Sequence, residues 1–472
     1  MRILLVQPAY DPAQMLARMN LLEPLALEIL AAYCAADDEV RLIDLRLEPP
    51  GTLEATLERF QPDLVAITCL TTTQTYPVQQ LGRLVRDRMP GVLVAVGGHH
   101  ASLMPQDFVP ESADVVLRGE AEVTWSPLLT ALKSGADWHN GPGVCYSEDG
   151  RLISGNGSGL LDSLAGVRPP DRSLTAPYRQ CYFHFHYRPT ALVAAGRGCP
   201  FRCTFCSVST FYEGRYRLRE PGDVVCELAG IEAEHVAVAD DNFLDHVEWS
   251  WQLARAISAA GLKKTFGVQA RSTTIARHPD LIAAWRAIGL SEALVGFEFV
   301  STRDLAKINK RATAGDNERA IEVLHSNDVA IWGAFIVEPE FGADDFARLE
   351  AYVAEQDIDF PQYTVLTPLP GTVLWQERRG DLITHDRRLF DTLHCVLPSR
   401  LPLDKFYEYL ARLYKGSTRH TGRQLEWLMR LDPFIQSTVL QTMRTLTDAN
   451  AYLLGHEQAD CEPSVRQGEG RL

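Results

Sequence analysis

The sequence predicts an α/β protein with an N-terminal doubly wound, Rossmann-like domain, a partial (β/α)6 barrel and a helical C-terminal region. Three observations predict it. Short β-branched runs alternate with helical stretches through the first ~125 residues, and the same alternation resumes from Ala191 to about Trp375. The 472 residues exceed what one hydrophobic core supports.

In the first region Ile3–Val6, Val40–Leu45, Leu64–Thr68 and Val92–Val96 are short β-branched runs that read as strands buried on both faces. Leu21–Cys34 and Val78–Arg88 have helical spacing and read as crossovers. Ligands of such a sheet sit in the crevice at the carboxyl ends of its strands. Gln7-Pro8, Thr68–Thr73 and Gly97-Gly98-His99-His100 are therefore expected to form one site. Residues 136–187 are rich in Gly, Ser, Asp and Pro and read as a linker with little core of its own, carrying a small hairpin over Val144–Tyr146 and Arg151–Ile153. The expected divisions are 1–135, 136–187, 188–375 and 376–472.

Six barrel strands are expected: Ala191–Ala195, Val236–Ala239, Thr265–Val268, Ala293–Phe297, Val329–Val337 and Tyr363–Leu366. Active groups of a βα barrel come from the carboxyl ends of its strands. Those ends carry Asp240-Asp241-Asn242, Gln269-Ala270-Arg271, Glu298 and Glu338-Pro339. Asp240 and Asp241 can instead cap a following helix, and a carboxylate such as Glu298 in an apolar strand requires a partner. The tail has helical periodicity over Leu401–Tyr414 and Arg423–Asn450, with a break near Pro433 and a polar, disordered end from Glu457.

A formal net charge of −15 argues against sequence-independent nucleic-acid binding, which needs a basic face. No run of 18 apolar residues occurs, so no membrane-spanning segment is expected. The sparse cysteines, with one tight cluster that must stay reduced, place the protein in the cytoplasm.

That cluster is Cys199, Cys203 and Cys206 in the run Gly198-Cys199-Pro200-Phe201-Arg202-Cys203-Thr204-Phe205-Cys206. Iron–sulfur clusters normally take four Cys ligands, so three thiolates with no fourth nearby leave one iron open for an exogenous ligand. A structural zinc site wants four N/S ligands in paired motifs, and no partner pair follows. The spacing, the Gly-Cys-Pro lead-in and Phe205 resemble the radical S-adenosylmethionine (SAM) enzymes. In that family SAM binds the unique iron of a 4Fe-4S cluster and is cleaved to a 5'-deoxyadenosyl radical. The resemblance implies that Cys199, Cys203 and Cys206 hold the cluster, and that Phe205, Asp241, Arg271 and Glu298 contact SAM. Glu298 would meet its ribose and Arg271 its carboxylate or the substrate. The series Arg197, Arg202, Arg215, Arg217 and Arg219 around the loop could bind an anionic substrate or flavodoxin, or form a solvated face.

The order of segments in the first domain resembles the cobalamin-binding domain that precedes many radical-SAM modules. These are Glu23-Pro24-Leu25 at a helix start, Asp44, Pro62-Asp63, Val96-Gly97-Gly98-His99 and Arg118-Gly119-Glu120. The resemblance implies cobalamin contacts from Gln7, Pro8, Thr71, Gly97, Gly98, His99 and Glu120, with Gly97 and Gly98 letting the macrocycle or its tail approach. No Asp-x-His-x-x-Gly motif is present, so no protein histidine is expected on cobalt. Thr367-Pro368-Leu369-Pro370-Gly371-Thr372 resembles the closing segment of cobalamin-dependent members.

Within that group, Thr204–Tyr212 and Leu389–Pro402 look most like the hopanoid C-3 methylases, and cyclases of the bacteriochlorophyll pathway share parts of the pattern. The resemblance implies a C-methyltransferase acting on an unactivated carbon of a lipid (hopanoid-like) or natural-product substrate, with a reductant such as flavodoxin or ferredoxin. A cobalamin-dependent cyclase or oxidase is the alternative, and a non-catalytic Fe-S scaffold the third class. The run from Trp427 through Phe434-Ile435 to Leu440 is either a peripheral membrane contact or a helix packed on the barrel.

Overall fold

The computed structural model describes residues 1–10, 20–157 and 159–417, with four further helical positions at 437, 440, 444 and 446. The expected helix over Arg423–Asn450, its break near Pro433, the membrane-contact run and the polar end lie outside the described residues, apart from those four positions.

Through the first region the strands are β1 (Arg2–Gln7), β2 (Asn20–Leu21), β3 (Glu39–Asp44), β4 (Leu64–Thr68), β5 (Leu93–Gly97), β6 (Val115–Leu117), β7 (Val144–Glu148) and β8 (Arg151–Ser154). Seven of them form one sheet in the order β3-β1-β4-β5-β6-β7-β8. β3, β1, β4, β5 and β6 run parallel, and the central strands β1, β4 and β5 are largely apolar, as strands covered on both faces are. The hairpin β7–β8 continues this sheet, since β7 pairs antiparallel with β6. The hairpin thus belongs to the first sheet, because Val144 and Cys145 are fully apolar and buried against it. The expected helix over Leu21–Cys34 is shorter, Leu25–Ala32, because Pro24 stands at its start and Asn20–Leu21 pair as β2.

Beyond the hairpin come β9 (Phe183–His184), β10 (Thr190–Val193), β11 (Gly196–Gly198), β12 (Tyr216–Leu218), β13 (His235–Val238), β14 (Thr265–Ala270), β15 (Leu290–Glu298), β16 (Ala330–Val337) and β17 (Phe360–Val365). The second sheet is six parallel strands in the order β10-β13-β14-β15-β16-β17, the partial barrel that the sequence predicts. β9 pairs with β2, so the connection from 155 to 189 is strapped to the first domain. Its Leu160, Leu164, Tyr182, Phe183 and Phe185 are buried, a larger core than its composition suggests.

The helix expected over Leu401–Tyr414 spans Leu403–Ser417, following Pro402. It lays Phe406, Tyr407, Leu410, Leu413 and Tyr414 into the barrel core beside β17. Gly371, in the segment Thr367–Thr372, adopts a positive φ of 84°, and a Cβ there would lie 3.0 Å from Leu103. This segment therefore packs against the first domain. No helix among the described residues is long and apolar enough to cross a membrane.

Candidate active site

The cysteine loop leaves β11 and returns through β12, and these two strands pair antiparallel at the mouth of the barrel. Gly198 has a φ of 86°, and a Cβ on it would sit 2.1 Å from the Arg215 carbonyl, so only glycine closes this hairpin ahead of Cys199. The three thiols lie near enough to interact electrostatically. Burial pushes the Cys206 thiol up to about 12, with Cys203, Asp241 and Cys199 adding to it, and burial likewise raises Cys199. A cluster iron is the cation that draws such thiols into the thiolate form.

Two side chains from the barrel reach the sulfurs. Asn242 Nδ2 lies 3.7 Å from Cys199 Sγ, and Arg271 Nη1 lies 3.7 Å from Cys203 Sγ. Arg271 follows β14, is 6% exposed, stacks 3.6 Å over the Phe201 ring and donates Nη2–H to the Lys310 carbonyl. Its Nε and the Asn242 Oδ1 are buried without hydrogen-bond partners. Such orphaned atoms beside three thiols are those a bound polar ligand would satisfy.

The carboxylates divide by environment. Asp240 Oδ1 accepts from the Ala195 N–H at 2.8 Å and Asp240 also bonds the Gly196 amide, so it anchors the strand into the cysteine loop. Burial raises it to about 7. Asp241 is exposed to the cleft, yet the protein walls around it raise its carboxyl to about 6, and the Gly198 amide opposes that rise. Glu298 ends β15 at a bulge, with a φ of 61°, and its Oε1 receives the Lys310 ammonium at 2.6 Å. A Cβ on Gly296 would meet that oxygen at 2.3 Å, so Gly296 makes room for the pair. Phe205 packs against the small apolar cluster of Phe299, Leu305 and Ile308.

Gln7, Pro8, Thr71, Gly97, Gly98 and His99 follow or end β1, β4 and β5, three neighbouring strands, at the carboxyl edge of the first sheet. Gly98 has a φ of 107°, and a Cβ on it would be 2.6 Å from the Cys69 carbonyl, so a neighbouring loop demands this glycine whatever the ligand. Thr71 caps the turn at Thr72–Gln74, and Leu70 beside it leaves 61% of its apolar surface uncovered. His100 points inward to Thr72, Thr75 and Asp107. His99 reaches the other domain: Nε2 is 2.8 Å from Ser207 Oγ, and the ring stacks on Phe211 at 4.5 Å. Burial lowers its pKa to about 4.

Glu120 and most of the arginine series take part in ion pairs. Glu120 is buried with its carboxylate taken by Arg197 at 2.8 Å, Arg217 at 2.6 Å and the Leu161 amide at 2.7 Å, so its oxygens are engaged in an ion-pair network between domains. Four of the five arginines, Arg197, Arg215, Arg217 and Arg219, are engaged in ion pairs, while Arg202 is exposed. Arg197 also binds Glu122, Arg219 binds Glu227, and Arg215 binds Asp162 at 2.9 Å. Sequence reading missed Lys310, Ser207 and Phe211. Lys310 in Asn309-Lys310-Arg311 resembles any loop cation, and only the fold places it under Glu298.

Residues 15–129 match the B12 binding domain and residues 193–352 the Radical SAM superfamily. The chain is 30% identical to a hopanoid C-3 methylase from Methylococcus capsulatus over 411 residues, 85% of this chain and 78% of that protein. The chain belongs to the cobalamin-dependent radical SAM methyltransferases. Its cofactors are a 4Fe-4S cluster, SAM and cobalamin, as both matched domains require. This family member is also 27% identical to an anaerobic magnesium-protoporphyrin IX monomethyl ester cyclase from Rubrivivax gelatinosus, over 72% of this chain and 62% of that one. Its fold matches the radical SAM methyltransferase TsrM from Kitasatospora setae with a TM-score of 0.70, at 17% identity, covering 98% of this chain and 100% of that chain.

Proposed function

We propose that this methyltransferase places a methyl group on an unactivated carbon of a lipid-like substrate of the hopanoid class. The observation that carries the reading is the meeting of His99 with Ser207 and Phe211, beside the last cluster cysteine. It brings the carboxyl edge of the first sheet to the cysteine loop, which supports a reading in which the two cofactors face each other. The cluster and SAM supply hydrogen-atom abstraction and cobalamin supplies the methyl group; the protein provides position and shielding.

In this reading Cys199, Cys203 and Cys206 hold three irons. Arg271 and Asn242, whose polar atoms are left over, orient SAM together with Asp241 and Phe205. Glu298 meets the ribose through the oxygen that Lys310 leaves free. Gln7, Pro8, Thr71, Gly97, Gly98 and His99 line the cobalamin side. The sum is substrate-H plus two SAM and two electrons, giving substrate-CH3, S-adenosylhomocysteine, 5'-deoxyadenosine and methionine. The electrons come from a cytoplasmic reductant such as flavodoxin or ferredoxin.

The test is turnover with methyl-deuterated SAM, a reductant and hopanoid-containing lipid. A product heavier by one CD3 group, with 5'-deoxyadenosine and S-adenosylhomocysteine, is expected. Formation of 5'-deoxyadenosine with a modified but unlabelled product would instead establish the cyclase or oxidase reading.

A further inference from the structure

At the end of the barrel opposite the cysteines, three side chains from distant parts of the sequence converge: His184 of β9, His235 at the start of β13 and Glu292 near the start of β15. Glu292 and Glu298 lie six residues apart on β15, so the two ends of the barrel are separated by roughly 20 Å. His184 Nδ1 is 2.9 Å from Glu292 Oε1, His235 Nε2 is 3.7 Å from the same oxygen, and the two ring nitrogens are 3.4 Å apart. Ligand atoms held at about 2.0–2.1 Å by a tetrahedral zinc ion stand about 3.3 Å from each other.

The surroundings are those of a ligand set. Glu292 is 2% exposed, and its Oε1, between the two rings, has no hydrogen-bond partner despite the short approach of His184. Its other oxygen accepts from Trp332 Nε1 at 3.2 Å, which turns Oε1 inward. His235 spends Nδ1 on Thr265 Oγ1 at 3.0 Å, which leaves Nε2 aimed at the shared point. A second partner on each ligand, fixing which atom faces the ion, is characteristic of protein metal sites. The strand between the two barrel ligands is β14, and there Gly267 keeps the space open: a Cβ on it would meet Glu292 Oε1 at 2.8 Å and the His184 ring at 3.0 Å.

We propose that His184, His235 and Glu292 bind one zinc ion, with a water in the fourth position. Tyr187 lies flat on His235 at 3.6 Å and Phe185 packs on His184 at 4.3 Å, closing the site off. Two imidazoles and one carboxylate are a donor set that zinc takes, and the spacing of the three atoms matches its tetrahedral edge. The ion would tie the strap at 183–187, which pairs with β2 of the first domain, to the barrel floor.

The experiment is anaerobic purification and cluster reconstitution of the full chain, followed by zinc addition, gel filtration, metal analysis and zinc-edge X-ray absorption. One zinc per chain beside a filled cluster, with only nitrogen and oxygen ligands, is expected. Glu292→Gln should lose that zinc, and Trp332→Phe, which keeps all three ligands, should weaken its binding 10–100-fold. Full zinc in both variants, zinc bound through sulfur, or no zinc retained by the reconstituted wild type would each overturn the assignment. If Glu292→Gln does not fold, the Trp332→Phe affinity decides.

Discussion

Replacing Glu120 by Gln separates two roles that this residue could have. Its carboxylate is 5% exposed and holds Arg197, Arg217 and the Leu161 amide at 2.6–2.8 Å, while Arg197 lies inside the hairpin that launches the cysteine loop. Gln keeps the shape but removes the charge, leaving Arg217 without its carboxylate and Arg197 with only Glu122. Breaking a buried ion pair from one side costs about 3–5 kcal/mol, and the surviving Glu122 contact places this change near 3. At roughly 2–4 °C per kcal/mol for a domain of this size, the melting temperature should fall by about 6–12 °C. Calorimetry on the full chain reads the loss, and cobalamin titration, monitored in the visible spectrum, should give an affinity close to wild type. An unchanged melting temperature with lost cobalamin binding would refute the ion-pair account and return Glu120 to the cofactor site.

Cys203→Ala should abolish 5'-deoxyadenosine formation and lower the iron content while leaving cobalamin bound; retained SAM cleavage would remove Cys203 from the cluster. Arg172→Met should cost about 3–5 kcal/mol in thermal or denaturant unfolding, because Arg172 faces Glu23, Glu28 and Glu227 at the seam between the domains and its loss leaves buried carboxylates without their cation. His99 gives a pH dependence. Its pKa falls from 6.5 to about 4 through burial, so the unfolded chain takes up the proton first. The stability it contributes is present above pH 6.5 and is lost as pH falls toward 4, by up to about 3 kcal/mol. His99→Gln should flatten that part of the unfolding curve, and an identical pH profile in the variant would show that His99 does not titrate this way.

Both sheets were legible because parallel strands buried on two faces are apolar along their whole length, as Leu64–Thr68 and Ile331–Val337 illustrate. The cysteine loop was legible because its three cysteines are neighbours in the chain. What escaped depends on contacts between residues far apart. Glu120 and the arginines at 197 and 217 are separated by some eighty to a hundred positions, and neither charge pattern indicates the other as partner. Lys310 and Glu298 are closer, but the bulge at Gly296–Glu298 that turns the carboxylate toward the lysine leaves no trace in periodicity. The hairpin at 144–154 was read as linker because turn-rich flanks dominate its composition, although two of its residues complete the first sheet's core.

The orientation of the two domains follows from the same logic. Each parallel sheet gathers its loops at its carboxyl edge, so each alone would present an open crevice to water. Here the crevices face each other: His99 of the first meets Ser207 and Phe211 of the second, and Gly371 brings the barrel's closing segment onto Leu103. Buried ion pairs at the rim, Glu120 with Arg197 and Arg217 and Arg172 with Glu23 and Glu227, are costly to desolvate and gain little as pure stability. Their directionality is what an apolar seam lacks. A slip of an ångström would leave charges unpaired, so these contacts fix the registry in which the cysteine loop stands opposite the Gly97-Gly98-His99 turn.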